Sequence, residues 1–455
     1  MFTIRGVRGG HRVCDWPLIS PCRPARITRG RQSPAGHRAS RVVEITTGRP
    51  ARMTPWPAEP AEQRASRVVV ITTGRPARMT PWPAAPRRAA RLADSRDHHW
   101  PPGPHQALWQ ISPMPPAPQL IALGTYTKST GGRGPGVRTL WWTGDPATST
   151  FAGTAAIASP SFLCAHPSLP LIYAVGELDQ GVITTIAVDN GQLSVIDEQP
   201  TGSSAPCHLA FTPDGRHLVI AGYGSGDLTV FGVNESGRLT GRTELLAHQG
   251  RGPHPIRQDA PHVHQVVAAP DGEMLACDLG NDTITGYRVQ PDGTLSLRDL
   301  VNAPEGSGPR HLALSADGET AYVTAELDSG LLWYERDGQG PWVLRYRVPS
   351  TGPVTPLENN LPSHVAFTAD EQYLLVANRG NDVLSVFDVG GGEPIFVGDA
   401  PTGRNPRHFS IVGDHVLVAA QDDDAITVLR LDEYGTLTPA DSLDLGSPTC
   451  ILPLS

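Results

Sequence analysis

The chain repeats one pattern along most of its length: a short apolar run, a turn of Asp-Gly type, a second run, a Gly-rich break and a third run. The stretches "HLAFTPDGRHLVIAGYGSGDLTVFGV", "HLALSADGETAYVTAELDSGLLWYER" and "HVAFTADEQYLLVANRGNDVLSVFDV" are three of its copies. Alternating apolar residues cut by turn pairs at this spacing mean antiparallel hairpins. Aligned on the turn, the position opening each unit is Ser161, Cys207, His264, Arg310, Ser363, Arg407 and Thr449, at intervals of 46, 57, 46, 53, 44 and 42 residues. Four strands per unit at that period specify an all-β propeller, in which each unit is a four-stranded antiparallel blade packed on its neighbours. Seven copies predict seven blades. The last copy supplies one strand, "TCILPLS", while "QLIALGTYT" opens the repeating region. Pairing these N- and C-terminal strands in one blade closes the ring and removes its open edges.

The repeat accounts for residues 114–455, whereas residues 1–113 read differently. "ASRVVEITTGRPARMTPWPAEPAEQR" from Ala39 is followed directly by "ASRVVVITTGRPARMTPWPAAPRRAA" from Ala65, a tandem repeat of 26 residues rich in Arg and Pro. So little apolar surface cannot offset the entropy of ordering, and a disordered basic extension is expected. A basic tail for nucleic acid or membrane and a targeting peptide are two meanings for it. The preferred one is translation from a start codon placed too early, with Met114 opening the native chain.

Charge follows the same division. Residues 1–113 hold 19 of the 37 Lys and Arg and 6 of the 45 Asp and Glu, a balance of +13; with −8 overall, the remainder carries −21. A region that acidic has no footprint for nucleic acid and repels anionic ligands except where arginines gather locally. Cys14 and Cys22 fall in the basic extension, and Cys164, Cys207, Cys277 and Cys450 sit singly in strand-like runs, a spacing that fits neither a disulfide framework nor a zinc site. With no apolar run of membrane-spanning length and no secretory leader in "MFTIRGVRGGHRV", the expectation is a cytoplasmic protein, a monomer or weak homo-oligomer, without membrane or nucleic-acid partners.

Two columns break the apolar pattern. The first is the aligned position above, which includes His264, Arg310 and Arg407. The second follows the next strand and contains Glu177, Tyr223, Leu279, Glu326, Arg379 and Gln421. One strand leaves the first column and the next returns to the second, so both columns belong at the same end of the ring. Buried charges gathered this way are costly unless they pair with one another, fastening neighbouring blades, or bind something. "RQDAPHVHQ" ends the longest interval, as an insertion at the pocket mouth. His264 belongs to the inner column; Arg257 and His262 belong to the loop and read as rim contacts. Two histidines at i, i+2 fix no third ligand, so a metal reading of "HVH" is weak.

"GSGPRHLALSADGETAYVTAELDSG", "PHVHQVVAAPDG", "LPSHVAFTADEQYLLVANRGND" and "GRNPRHFSIVGDHVLVAAQ" together resemble the seven-bladed lactonase family, which includes propeller-type bacterial 6-phosphogluconolactonases and the carboxy-cis,cis-muconate lactonizing enzymes. The resemblance covers residues 118–455, and "GGRGPGVRTLWWTG" departs from it in the first blade. It implies His264, Arg310, Glu326 and Arg379 as catalytic residues, no metal or other cofactor, and a small anionic lactone as substrate, with 6-phosphogluconolactone of the pentose phosphate pathway the best single candidate.

The residues fit such chemistry. Lactone hydrolysis needs an activated water and stabilisation of an oxyanion; Glu326 or His264 can take the proton, and Arg310 and Arg379 can hold the oxyanion or an anionic tail through forked donors. Arg257, His262, Arg407, Glu177, Tyr223 and Gln421 are the candidate substrate contacts. A muconate-type cycloisomerase, another aldonolactonase and a non-catalytic propeller that binds a partner protein are the alternatives.

Overall fold

The computed structural model describes residues 117–353 and 359–454. The extension of residues 1–113, its tandem repeat and the boundary at Met114 lie outside the described residues. Among the described residues, twenty-eight strands form seven four-stranded antiparallel sheets, as the period predicts. Six blades are continuous in sequence, with innermost strands Pro160–Ala165, Pro206–Phe211, Val263–Ala268, Pro309–Leu314, Leu361–Phe367 and Pro406–Val412, in order blades 2 to 7.

Blade 1 closes the ring. Its innermost strand is the C-terminal Pro448–Pro453, paired antiparallel with Gln119–Thr125, which is followed outward by Val137–Trp142 and Thr150–Ala155. Leu123 opposes Ile451 and Gly124 opposes Cys450. Chain ends far apart in sequence are thus joined by a hydrogen-bond ladder and by burial of Leu123 and Ile451.

Each pair of neighbouring blades shares one apolar cluster. Leu123, Leu140, Leu417 and Val428 join blades 1 and 7, and Leu275, Val323, Leu332 and Tyr334 join blades 4 and 5. The other five junctions are built in the same way. Alternation supplies this core: each inner strand presents one apolar set to each neighbouring blade.

The turn after the first strand is built alike in three blades. Thr212, Ser315 and Thr368 each donate a hydroxyl to the aspartate two residues on, Asp214, Asp317 and Asp370, at 2.6 Å. Gly215 and Gly318 take the left-handed position that closes the turn, and Glu371 takes it in blade 6 at φ +56°. These turns lie at the end of the ring opposite the two polar columns.

Candidate active site

The first strand of a blade begins beside the residue that follows its second strand, and a local motif locks the two together. Ser159, Ala205, Gly308, Asn405 and Ser447 all have positive φ, between +39° and +62°, and each precedes a proline. Their carbonyls accept hydrogen bonds from the backbone N–H of Glu177, Tyr223, Glu326, Gln421 and Tyr126 respectively, at 2.9–3.2 Å. A residue before proline is normally held extended, so the left-handed turn is strained. It is repeated where each blade must bring a first-column and a second-column side chain to one mouth. In blade 5 glycine relieves the strain: the Gly308 N–H donates to Asp282 at 2.8 Å, and a Cβ there would meet Leu327 at 2.6 Å.

This geometry adds a residue that the sequence alignment misses. Gln119–Thr125 is the second strand of blade 1, so the second-column residue of that blade is Tyr126. The signal is in the sequence: "LIALGTY" aligns with "LIYAVGE" and "HLVIAGY" once ring closure is imposed.

Glu326 is the centre of the site. Its carboxylate, 2 % exposed, accepts from Arg257 Nη2 on Oε1 and from Arg379 Nη2 on Oε2 at 2.6 Å. Arg310 Nε lies 2.9 Å from Oε2 but out of line for a hydrogen bond, and neither Nε nor Nη1 of this buried guanidinium has a hydrogen-bond partner among the described residues. Burial works against the charge of Glu326, but Arg379, Arg310 and Arg257 outweigh it and hold the carboxyl down at about 2. Burial, with Arg379 beside it, pushes Arg310 down to about 9 against the attraction of Glu326, so it stays cationic at neutral pH.

A second group sits across the mouth. Arg407 places its guanidinium 5.0 Å from the centre of the Tyr126 ring and 3.5 Å from Glu177 Oε2, which also accepts from the Tyr126 hydroxyl at 2.7 Å. The two groups together set four guanidiniums against two carboxylates.

Between them lies His264, 6 % exposed, with its ring edge-on to Tyr223 at 5.5 Å and its Nδ1 without a partner among the described residues. Burial first, then the field of Arg310, Arg407 and Arg379, keeps it neutral, well below the ordinary histidine value. His262 stacks on the other side of this network, 4.7 Å from the Tyr223 ring, and bonds the Tyr223 carbonyl through Nδ1 at 2.8 Å. The loop before it is pinned by Gln258, fully buried, which donates to Leu279 O and Asp282 Oδ1. That anchorage brings Arg257, the neighbouring residue, onto Glu326.

Of the residues expected from sequence, His264, Glu326, Arg310, Arg379, Arg257, His262, Arg407, Glu177 and Tyr223 thus fall into connected groups at one end of the ring. Gln421 stands apart: its amide donates to Asp422 at 3.1 Å, and it makes no hydrogen bond to either group.

Below the first column the channel carries a belt that the sequence reading does not single out. His208, His311, His364 and His408 follow directly after Cys207, Arg310, Ser363 and Arg407, with Phe162 after Ser161. Ring centres are 5.4 Å apart for His208 and His311, 5.3 Å for His311 and His364, and 4.0 Å for His364 and His408. His311 and His364 face each other through Nδ1 atoms 3.0 Å apart. A register shift at the start of the first strand lets consecutive residues reach the channel; it recurs in these blades. The sequence signal is the His in "PCHLAF", "PRHLAL", "PSHVAF" and "PRHFSI".

Comparison with known proteins agrees with this architecture. The family model described as a seven-bladed β-propeller lactonase matches residues 120–453. The chain is 30 % identical over 341 residues to the 6-phosphogluconolactonase of Bacillus subtilis, covering 72 % of this chain and 96 % of that protein. A 6-phosphogluconolactonase of Formosa agariphila is 28 % identical over 300 residues, covering 62 % of this chain and 84 % of the relative. Among solved structures, the periplasmic gluconolactonase of Pseudomonas aeruginosa superposes with a TM-score of 0.69 at 30 % identity, covering 74 % of this chain and 99 % of that one.

Proposed function

The chain belongs to the seven-bladed β-propeller lactonase family, and from that premise we propose that it hydrolyses a sugar lactone bearing an anionic group, with 6-phosphogluconolactone the best single substrate and 6-phosphogluconate the product. The observation that carries this reading is the surplus of cationic donors among the described residues: four guanidiniums against two carboxylates, with Arg310 Nη1 and His264 Nδ1 buried and unpartnered there. In a region of net charge −21 such a surplus selects an anion locally.

In the proposed reaction His264 takes the proton from a water as that water adds to the lactone carbonyl. Arg310, with donors free to turn toward a new acceptor, stabilises the oxyanion. The tetrahedral intermediate collapses with cleavage of the ring C–O bond, and His264 returns the proton to the leaving oxygen. The product is a hydroxy acid, whose carboxyl ionises into solvent. Of the two bases expected from sequence, His264 suits the task better: Glu326, held at about 2 by three arginines, is a poor proton acceptor and instead orients those arginines. An anionic substrate would also offset the arginine field that weakens His264 as a base.

A hydrolase of this kind needs no cofactor. Cys164, Cys207, Cys277 and Cys450 are free thiols, which supports a cytoplasmic location for a step of the pentose phosphate pathway; no described helix is long and apolar enough to cross a membrane. The Pseudomonas relative, a periplasmic gluconolactonase, makes unphosphorylated gluconolactone the competing substrate. Acid release in a pH-stat from 6-phosphogluconolactone, gluconolactone and muconolactone, compared with the spontaneous rates, tests the reading. Enzymatic rates no higher than background on every lactone would end it.

A further inference from the structure

The Tyr126, Glu177 and Arg407 group differs from the Glu326 cluster in one respect that bears on specificity. Glu326 spends both oxygens on arginines. Glu177 does not: Oε2 takes the Tyr126 hydroxyl and faces Arg407, whereas Oε1 takes no hydrogen bond among the described residues, and the side chain is 18 % exposed at the mouth. The carboxylate is held in place from two sides by a phenol and a cation lying over that phenol's ring, and from behind by the bond from its own N–H to Ser159 O at 3.0 Å. A fixed carboxylate oxygen at the mouth is an acceptor only; it repels phosphate and carboxylate and suits hydroxyl donors.

We propose that Glu177 Oε1 accepts hydrogen bonds from ring hydroxyls of the substrate, with Tyr126 and Arg407 as its positioning residues, so that this side of the mouth selects polyhydroxylated lactones while the Glu326 arginines face the anionic end. The proposal rests on the lactonase reading and names the part of the substrate that each half of the site recognises. The funnel is therefore divided: cations surround Glu326, and a hydroxyl-reading carboxylate stands opposite. A site built to bond a hydroxyl discriminates strongly against analogues lacking it, because the buried or fixed acceptor is then left without a donor.

The test uses the full chain and a set of substrates: 6-phosphogluconolactone and its 2-deoxy, 3-deoxy and 4-deoxy derivatives. The native protein is expected to prefer the parent over at least one deoxy lactone by about tenfold or more in kcat/KM, the ratio of a charge-assisted hydrogen bond. In Glu177→Gln and Glu177→Ala that ratio collapses toward one, and in Tyr126→Phe, which keeps the ring under Arg407, it falls part of the way. A merely structural role for Glu177 would lower kcat/KM for all four lactones in proportion and keep the ratio, and that result overturns the proposal. A native protein that discriminates against none of the deoxy lactones overturns it as well. Absence of turnover on every lactone by the native protein removes the lactonase reading itself, a failure distinct from an unchanged ratio in an active enzyme.

Discussion

Arg310 and Glu326, both in blade 5 and both 2 % exposed at the side chain, lie 2.9 Å apart from Nε to Oε2 and yet form no aligned hydrogen bond. The carboxylate gives its well-formed bonds to Arg379 of blade 6 and Arg257 of the loop before blade 4. Arg310 is thereby kept charged by a neighbour that does not saturate it. The pairing that joins blade 5 to blade 6 and to the loop before blade 4 also leaves Arg310 with donors for the proposed substrate.

Glu326→Gln should lose activity by at least about a hundredfold while also destabilising the ring. Removing one partner of a buried ion pair costs about 3–5 kcal/mol, since the remaining charges are left uncompensated. Three arginines would face no carboxylate, and 6-phosphogluconate or inorganic phosphate should then restore part of the lost melting temperature. A variant with native Tm and native kcat/KM would contradict the central place given to this carboxylate.

His264→Asn tests the assignment of the base. Loss of a general base lowers turnover by about 10²–10⁴, and because Nδ1 has no partner among the described residues the fold should lose little. Steady-state kinetics should show the drop in kcat with KM changed only slightly. Equal kcat in both proteins would move the base elsewhere.

The channel belt makes stability sensitive to mild acid. Burial, reinforced by neighbouring imidazoles and Arg310, lowers His208, His311 and His364 well below 6.5, and burial with Arg310 brings His408 to about 3. In the folded state these groups bind fewer protons than in the unfolded chain, so stability is full above 6.5 and falls as pH drops below it. Glu326 adds to the loss only at lower pH, from its ordinary 4.5 toward about 2. Urea midpoints should decline between pH 7.5 and 5, before Glu326 titrates, and His408→Phe should make the decline shallower. Identical midpoints over that range would show the imidazoles to be paired differently.

Ending the chain before Pro448 should prevent cooperative folding. Blade 1 would lose its innermost strand, exposing the edge of Gln119–Thr125 and the buried faces of Leu123, Leu163 and Leu417. Size-exclusion chromatography and thermal melting of the truncated chain should report aggregates without a sharp transition. Adding a peptide of residues 448–455 in trans should recover some of the folded form.

The blades were legible in the sequence because their determinants are local. Alternation over six or seven residues and a Thr-x-Asp-Gly turn declare a hairpin without reference to anything distant, and the period then counts the hairpins. His264, Arg310, Glu326 and Arg379 stood out because charged side chains interrupted apolar runs at matching positions. Tyr126 did not, because its column is recognisable only after the chain's two ends are joined. The four belt histidines read as ordinary strand residues, since in a regular strand neighbours of a channel-facing side chain point away from it. Only the register shift beside each proline turns both residues to the channel.

The sequence by itself determined the ring: number of blades, strands per blade, closure and the end at which the polar columns gather. Tertiary structure alone decided who pairs with whom. Arg257 reaches Glu326 across 69 positions and Arg407 approaches Glu177 across 230, distances in sequence over which no local pattern acts. Whether a charge is neutralised, shared or left with free donors depends on those partners, because inside a protein an interaction of a few ångströms outweighs any preference a residue carries alone.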